Sequence, residues 1–313
     1  MLNHSQYFRI SVVNTCNLSC YFCHNEGANV TGGKLSIDDL EMVCRIAKQQ
    51  GFRKFKLTGG EPTIRPDIVE LVSRLAAIGL DDFSMITNGT LLTRLAAPLK
   101  EAGLQRINVS LHTLNQEKYE KLNVKQKVNL NRIVQGIDKA LEVGFKNIKI
   151  NFVYMGSKSD DDLEDILSFI MHRDLTLVVL PIMEKGSGHS ITLQNLYEKF
   201  IRKGIVSEKL IIDSEGIRKR LITLESGAKI LLRIDELANR NPYTFCSTCS
   251  VKNNRREGIF PLRLSAEGEL IPCLANYGNR INIRKLLQER NQEEINKVFQ
   301  TIQEWGAVNE KVF

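Results

Sequence analysis

Seven cysteines carry most of the chemistry legible in these 313 residues. They fall at positions 16, 20, 23, 44, 246, 249 and 273, as one triplet near each end and a singleton. Thr15-Cys16-Asn17-Leu18-Ser19-Cys20-Tyr21-Phe22-Cys23-His24 packs three thiols into one segment with the spacing C-x3-C-x2-C. Three thiolates in one loop suit a cubane iron–sulfur cluster, and they leave the fourth iron of a [4Fe–4S] cube open to an outside ligand. Structural zinc is the rival reading, although zinc knuckles usually present C-x2-C pairs. The odd count, the tight spacing and an opening without a signal-peptide apolar region argue against a disulfide framework. They favour metal ligation in a reducing compartment, so a cytoplasmic protein is expected.

The second triplet is less compact. Phe245-Cys246-Ser247-Thr248-Cys249 supplies a C-x2-C pair, and Leu270-Ile271-Pro272-Cys273-Leu274 supplies a third thiol. Residues 262–270 have strand-like flanks around a turn at Gly268, so a hairpin would return Cys273 towards the pair. Zinc completed by a histidine is a stronger rival here. Cys44 stands among Met42, Val43 and Ile46 in an amphipathic pattern and reads as a core thiol.

Composition narrows the partners. With 43 Lys and Arg against 36 Asp and Glu, the net charge of +7 suggests an anionic small molecule or nucleotide before it suggests duplex nucleic acid. No apolar run approaches the length of a membrane span, so neither a membrane nor a nucleic-acid partner is expected. The five histidines form no H-x3-H or H-E-x-x-H pair, which removes a zinc hydrolase. The lack of a Walker A loop, and of G-x-G-x-x-G after the first strand, removes the P-loop and Rossmann readings.

The elements that must position these groups alternate. Residues 8–13, 53–57, 83–86, 106–111, 148–154 and 175–181 are short runs rich in Val, Ile, Leu or Phe. Helical patterns lie between them. One starts at Ser36 with an acidic first turn, one spans 66–78 behind Pro66, and one spans 128–143 and stops at Gly144. Another opens with Ser159, Asp160, Asp161 and Asp162, an acidic cluster that reads as a solvated helix start. Six such units imply parallel β–α repeats with right-handed crossovers, fewer than the eight of a closed barrel. The expected fold class is α/β: an open, partial (β/α)6 TIM-type barrel whose mouth lies at the C-terminal ends of the strands.

The pattern changes after residue 184. Lys185-Gly186-Ser187-Gly188-His189 is a connector, followed by a helix near 193–202 and a hairpin of 217–224 and 229–234. A helical stretch over 286–306 carries Trp305, a packing anchor. The expected division is a barrel over 1–184, a connecting region over 185–244 and a smaller α+β domain over 245–313, built around the second triplet.

Beyond the cysteines, Phe22 precedes the third thiol, and Leu57-Thr58-Gly59-Gly60-Glu61-Pro62 follows one strand–helix unit later. Together these motifs resemble the radical S-adenosylmethionine (SAM) superfamily. The resemblance implies that Cys16, Cys20 and Cys23 hold a [4Fe–4S] cluster, and that Phe22, Gly59, Gly60, Glu61, Thr87, Asn88 and Ser110 contact SAM. Glycines permit close backbone approach, and Glu61 offers an anionic acceptor to the SAM ammonium group. It also implies reductive cleavage of SAM to a 5′-deoxyadenosyl radical that abstracts hydrogen from substrate, with an electron donor such as flavodoxin or ferredoxin. His112 stands where close relatives often carry Asp, so no catalytic role is carried onto it.

The run from Arg263 to Leu274 after C-x2-C, with Phe8-Arg9-Ile10-Ser11-Val12 and Arg65-Pro66-Asp67, resembles the GTP 3′,8-cyclase family of molybdenum-cofactor biosynthesis. That likeness spans about residues 7–183 and 245–276. It implies that Cys246, Cys249 and Cys273 hold a second [4Fe–4S] cluster facing the substrate. There are departures. Twenty-three residues separate Cys249 from Cys273, more than in the family, and they include a basic insertion at 252–258. Of two alternating tail arginines only Arg263 remains, with Pro261 at the other position; Val178 stands where a basic residue is usual, and residues 309–313 replace a double-glycine tail.

Other basic positions persist at Arg9, Lys54, Lys56 and Lys149. Lys54 and Lys56 alternate and so share one strand face. Basic residues lining an α/β mouth suit a phosphate. The expected protein is a divergent radical SAM enzyme that abstracts hydrogen from a phosphorylated or nucleoside-like small molecule, leading to carbon–carbon bond formation or rearrangement. The alternatives are the GTP 3′,8-cyclase itself, a peptide-modifying maturase, and a non-enzymatic zinc-binding module.

Overall fold

The computed structural model describes residues 7–23, 34–123, 128–171, 173–182, 193–212, 218–233, 248, 261–274 and 277–307. Strands β1 (Tyr7–Ser11), β2 (Lys54–Thr58), β3 (Asp82–Thr87), β4 (Arg106–Ser110), β5 (Ile148–Tyr154) and β6 (Leu175–Pro181) pair in sequence order, all parallel. Between them run α1 (Ile37–Gln49), α2 (Ile68–Ala76), α3 (Leu92–Glu101), α4 (Gln116–Leu122), α5 (Leu130–Glu142) and α6 (Asp160–Met171). The expected partial (β/α)6 architecture is present, and its sheet does not close.

Both edges of that sheet are extended instead. After α7 (Gln194–Arg202), strands β7 (Ile205–Ile212), β8 (Arg218–Leu224) and β9 (Lys229–Arg233) form a meander, and β9 pairs in parallel with β6. The expected hairpin is β8–β9; β7 went unread because its charged, partly exposed residues carry no apolar alternation. On the other edge, β10 (Leu262–Leu264) pairs in parallel with β1, followed by β11 (Glu269–Ile271) and β12 (Ile281–Asn282). The described residues thus form one twelve-stranded sheet.

Local chemistry explains several boundaries. Ser36 caps α1 by accepting from Asp39 N at 3.1 Å, while Asp39 accepts from Ser36 N at 3.2 Å. Such a reciprocal box contributes about 1 kcal/mol to a helix start. The acidic opening of α6 is less solvated than expected. Asp162 is buried and accepts from Thr113 Oγ1 at 2.6 Å and Lys118 Nζ at 3.2 Å, and Asp160 pairs with Lys199. Tertiary partners delivered from the β4–α4 turn and from α7 replace water there. The final helical stretch divides into α8 (Arg284–Gln288) and α9 (Gln292–Ala307), because Arg290 takes a left-handed conformation at φ 54°.

Strand alternation gives the sheet two faces. Phe8, Ile10, Phe55, Leu57, Phe83, Met85, Ile107 and Val109 bury one of them. Phe8 meets Phe299 of α9 edge-on at 5.8 Å, and a Cβ on Gly89 would touch both Val109 and Ile133 of α5. That is the helix-covered side. The other face carries Tyr7, Arg9, Ser11, Lys54, Lys56 and Thr58, and it is where the chemistry collects.

Candidate active site

The first cysteine triplet leaves the C-terminal end of β1 and is stitched to the turn after β2. Val12 N donates to Thr58 O at 2.9 Å, Gly60 N to Val13 O at 2.7 Å, and Glu61 N to Thr15 O at 2.9 Å. Gly59 sits at φ +141°, and a Cβ there would lie 2.2 Å from Val13 O. On Gly60 a Cβ would lie 2.0 Å from Thr15 O. The close approach these glycines permit is that of the cysteine segment's own backbone.

Glu61 is the hub of the next layer. It is 1% exposed, and its Oε1 accepts from Thr63 N at 3.0 Å, Thr63 Oγ1 at 2.6 Å and Thr87 Oγ1 at 2.7 Å. Its Oε2 accepts from Asn88 N at 2.6 Å. Burial pushes this carboxyl up, and the four donors pull the other way. Asn88 Nδ2 donates to Asn17 Oδ1 at 2.8 Å, and Asn17 Nδ2 donates to Thr90 Oγ1 at 2.9 Å. Glu61, Thr87 and Asn88 therefore brace the cysteine segment through one network. Ser110, at the end of β4, pairs in register with Asn151. Asn17, Thr90 and Asn123 escaped the sequence reading, since single polar residues in turns carry no spacing signal. Asn123 Oδ1 accepts from Ser19 N at 2.8 Å, and its backbone bridges Cys20.

Phe22 is held from two sides. Its ring packs edge-to-face on Tyr21 at 5.2 Å and on His112 at 4.9 Å. His112 Nδ1 accepts from Val153 N at 3.1 Å, so the ring proton sits on Nε2. Burial pulls its pKa to about 4, which keeps the imidazole neutral.

Cys16 and Cys20 are half-buried and Cys23 is exposed. Burial raises the Cys16 thiol despite the Leu18 N–H at 3.3 Å, and burial followed by the neighbouring cysteine charges pushes Cys20 up to about 11. Ionising all three together calls for a bound cation. Among the described residues no three Cys, His, Asp or Glu side chains converge on a single ion. A cubane instead takes one thiolate per iron, spread around its corners. The Tyr119 hydroxyl is buried without a hydrogen-bond partner among the described residues, on the helix whose end at Asn123 bridges Cys20. A buried donor on the element tied to the cysteine segment suits a sulfur-rich acceptor held by these thiols. Cys44 is fully buried in the core, and burial drives its thiol far up, so it is chemically quiet.

The basic residues share the face opposite the helices. Arg9 is in register with Lys56 on one side and Arg263 on the other; Tyr7 is level with Lys54, and Asn108 with Lys149. They line the inner wall below the strand ends rather than the mouth itself. Lys54 Nζ and Lys56 Nζ lie 4.7 and 5.2 Å from the Tyr7 ring centroid. Burial, followed by the charges of Arg106, Lys56, Lys219 and Lys54, lowers Lys149 to about 8. Arg106 and Lys219 were missed by the sequence reading, because their strands join this wall only through long-range pairing. Cys273 is buried. The chain leaves β11 antiparallel to β10, so Cys273 lies towards the end of β1 opposite the Cys16 segment. Cys246 and Cys249 lie outside the described residues.

Residues 10–170 match the radical SAM superfamily. This chain belongs to that superfamily. Radical SAM enzymes use SAM and a [4Fe–4S] cluster, and the chain is an enzyme of this type. It is 32% identical over 294 residues to a protein named probable GTP 3′,8-cyclase from Methanothermobacter thermautotrophicus, covering 93% of this chain and 91% of the relative. A protein of the same name from Saccharolobus islandicus is 35% identical over 298 residues, with 92% and 88% covered. Among solved structures, Streptococcus suis SuiB superposes with a TM-score of 0.64 at 19% identity, over 92% of this chain and 66% of SuiB. The structure titled native anSMEcpe with bound AdoMet gives 0.58 at 15% identity, over 94% and 81%. At such identities the likeness is one of fold. No helix among the described residues is long and apolar enough to cross a membrane.

Proposed function

We propose that this radical SAM enzyme acts on a nucleoside triphosphate, with GTP the first candidate and 3′,8-cyclisation the reaction. The observation that carries the reading is the cationic wall: Arg9, Lys54, Lys56, Lys149 and Arg263 share one sheet face, with the Cys16 segment at one end of β1 and Cys273 towards the other. Cys16, Cys20 and Cys23 would hold the SAM cluster, and Cys246, Cys249 and Cys273 a second [4Fe–4S] cluster. When bound and reduced, the first cluster supplies the electron that splits SAM into methionine and a 5′-deoxyadenosyl radical. Flavodoxin or ferredoxin is a suitable donor.

The chain's own residues would position the reactants. Gly59, Gly60 and Glu61 hold the cysteine segment; Phe22, Thr87, Asn88 and Ser110 border the SAM side; the cations neutralise the phosphates below. Full-length likeness to proteins named probable GTP 3′,8-cyclase supports GTP. A second reading, a related but different nucleotide, is favoured by the uncharged Pro261 and Val178.

Anaerobic protein with SAM, reductant and GTP should yield 5′-deoxyadenosine together with a cyclised nucleotide. Nucleotide-dependent 5′-deoxyadenosine from another triphosphate alone would favour the second reading. SAM cleavage that no nucleotide stimulates would sink both.

A further inference from the structure

The buried tyrosine beside the first cysteine segment has no part in the motifs above, yet its placement is specific. Tyr119 lies on α4, is 5% exposed, and its hydroxyl finds no hydrogen-bond partner among the described residues. A buried hydroxyl without an acceptor is unfavourable, so this one would gain from an acceptor placed within its reach. Its helix ends at Asn123, whose backbone bridges Cys20, so the buried phenol lies one helical turn from the cysteine segment.

Helix α4 is fixed relative to the cysteines. Asn115 caps its start by accepting from Lys118 N at 3.0 Å, and Lys118 Nζ reaches Asp162 at 3.2 Å. At its far end, Asn123 bridges the Cys20 backbone and accepts from Ser19 N at 2.8 Å. Helix and cysteine segment are thus tied at residues 19, 20 and 123, and the phenol cannot drift from the sulfurs independently. Among the described residues, Leu18 N at 3.3 Å and Asn88 Nδ2 at 3.9 Å address the Cys16 sulfur, and a backbone N–H addresses that of Cys20. Tyr119 adds a side-chain donor on the helix tied to Cys20.

We propose that the Tyr119 hydroxyl donates a hydrogen bond to a sulfur of the cluster held by Cys16, Cys20 and Cys23, and so eases that cluster's reduction. The proposal rests on the ligation stated under Proposed function. A hydrogen bond to a cluster sulfur favours the more negative, reduced form and raises the midpoint potential. Tyr119 is a positioning and tuning residue here, acting through the cluster rather than on substrate.

The test uses reconstituted holoenzyme. Tyr119→Phe should retain wild-type iron and sulfide content, show a lower midpoint potential in a redox titration followed by electron paramagnetic resonance, and lose one exchangeable deuteron coupling in D2O. Trifluorotyrosine at position 119, a stronger donor of nearly the same shape, should move the midpoint upward. An intact cluster whose midpoint and deuteron couplings are unmoved in both variants would overturn the inference alone. If Tyr119→Phe fails to take up iron, the fluorinated variant decides by its shift or lack of one. Wild type without a four-iron cluster at this site, or a Cys16→Ala variant that retains it, would overturn the ligation and the inference together.

Discussion

Arg9 on β1 and Arg263 on β10 stand directly opposite each other in a parallel ladder, two cations brought to one sheet face from opposite ends of the chain. Like charges so placed oppose sheet pairing. An anion above them would relieve that repulsion.

Replacing either arginine by alanine should therefore weaken binding of a nucleoside triphosphate by about tenfold or more. One charge-assisted hydrogen bond contributes about 1.5–3 kcal/mol, and each 1.4 kcal/mol is about a factor of ten. Arg263 is buried and donates to Pro261 O at 3.0 Å, so Arg263→Ala should also lower the melting temperature. Equilibrium dialysis and thermal melts measure the two effects. A lower melting temperature with unchanged affinity would assign these residues to the sheet instead.

Lys149 predicts a pH dependence. Burial and neighbouring cations lower its pKa from 10.5 to about 8, so its charge is lost as pH rises through that value. Affinity for an anionic substrate should be full below pH 8 and fall above it, with the fall delayed once the bound anion stabilises the ammonium. Lys149→Arg should flatten the profile between pH 7 and 9. A wild-type binding curve already flat across that range would contradict this.

Gly60 is a packing requirement for the cysteine segment. A Cβ there would sit 2.0 Å from Thr15 O, with backbone rather than a flexible side chain in the way. Gly60→Ala should displace the segment and cut iron incorporation severely, while far-ultraviolet circular dichroism stays close to wild type. Normal iron content in this variant would show that the segment can yield.

Arg65 ties the same region from behind. Its buried guanidinium forks onto Asp67 at 2.7 and 3.0 Å and donates to Val12 O at 2.8 Å and Leu35 O at 3.1 Å. Burial raises the Asp67 carboxyl, but Arg65 outweighs it and leaves the group below its ordinary value. Lysine cannot reproduce the fork. Arg65→Lys should destabilise by about 1–3 kcal/mol, as expected when buried carbonyls lose a hydrogen-bond donor. Urea unfolding would test it; a loss below about 1 kcal/mol would show that the carbonyls find other donors.

Much of the fold was legible because it is written in contiguous residues. The apolar runs of β1 to β6 and the capping signal at Ser36 announce themselves by period and position. The β8–β9 and β10–β11 hairpins followed from turn glycines between strand-like flanks. Asp162 was misread because its partners, Thr113 and Lys118, belong to another unit. The break at Arg290 was missed because a left-handed non-glycine residue leaves no compositional trace.

Sequence alone determined the chemistry on offer: three thiols in one short segment, a Gly-Gly-Glu turn one unit later, and lysines alternating on one strand face. These depend on spacing along the chain, which local backbone geometry converts directly into proximity. Tertiary structure decided what those groups meet. It set Arg9 against Arg263, used Glu61 to anchor Thr87 and Asn88, brought Lys219 towards Lys149, and buried the Tyr119 hydroxyl with no acceptor among the described residues. The physical reason is that strand order and burial are fixed by pairing between distant segments, and no local period encodes that choice.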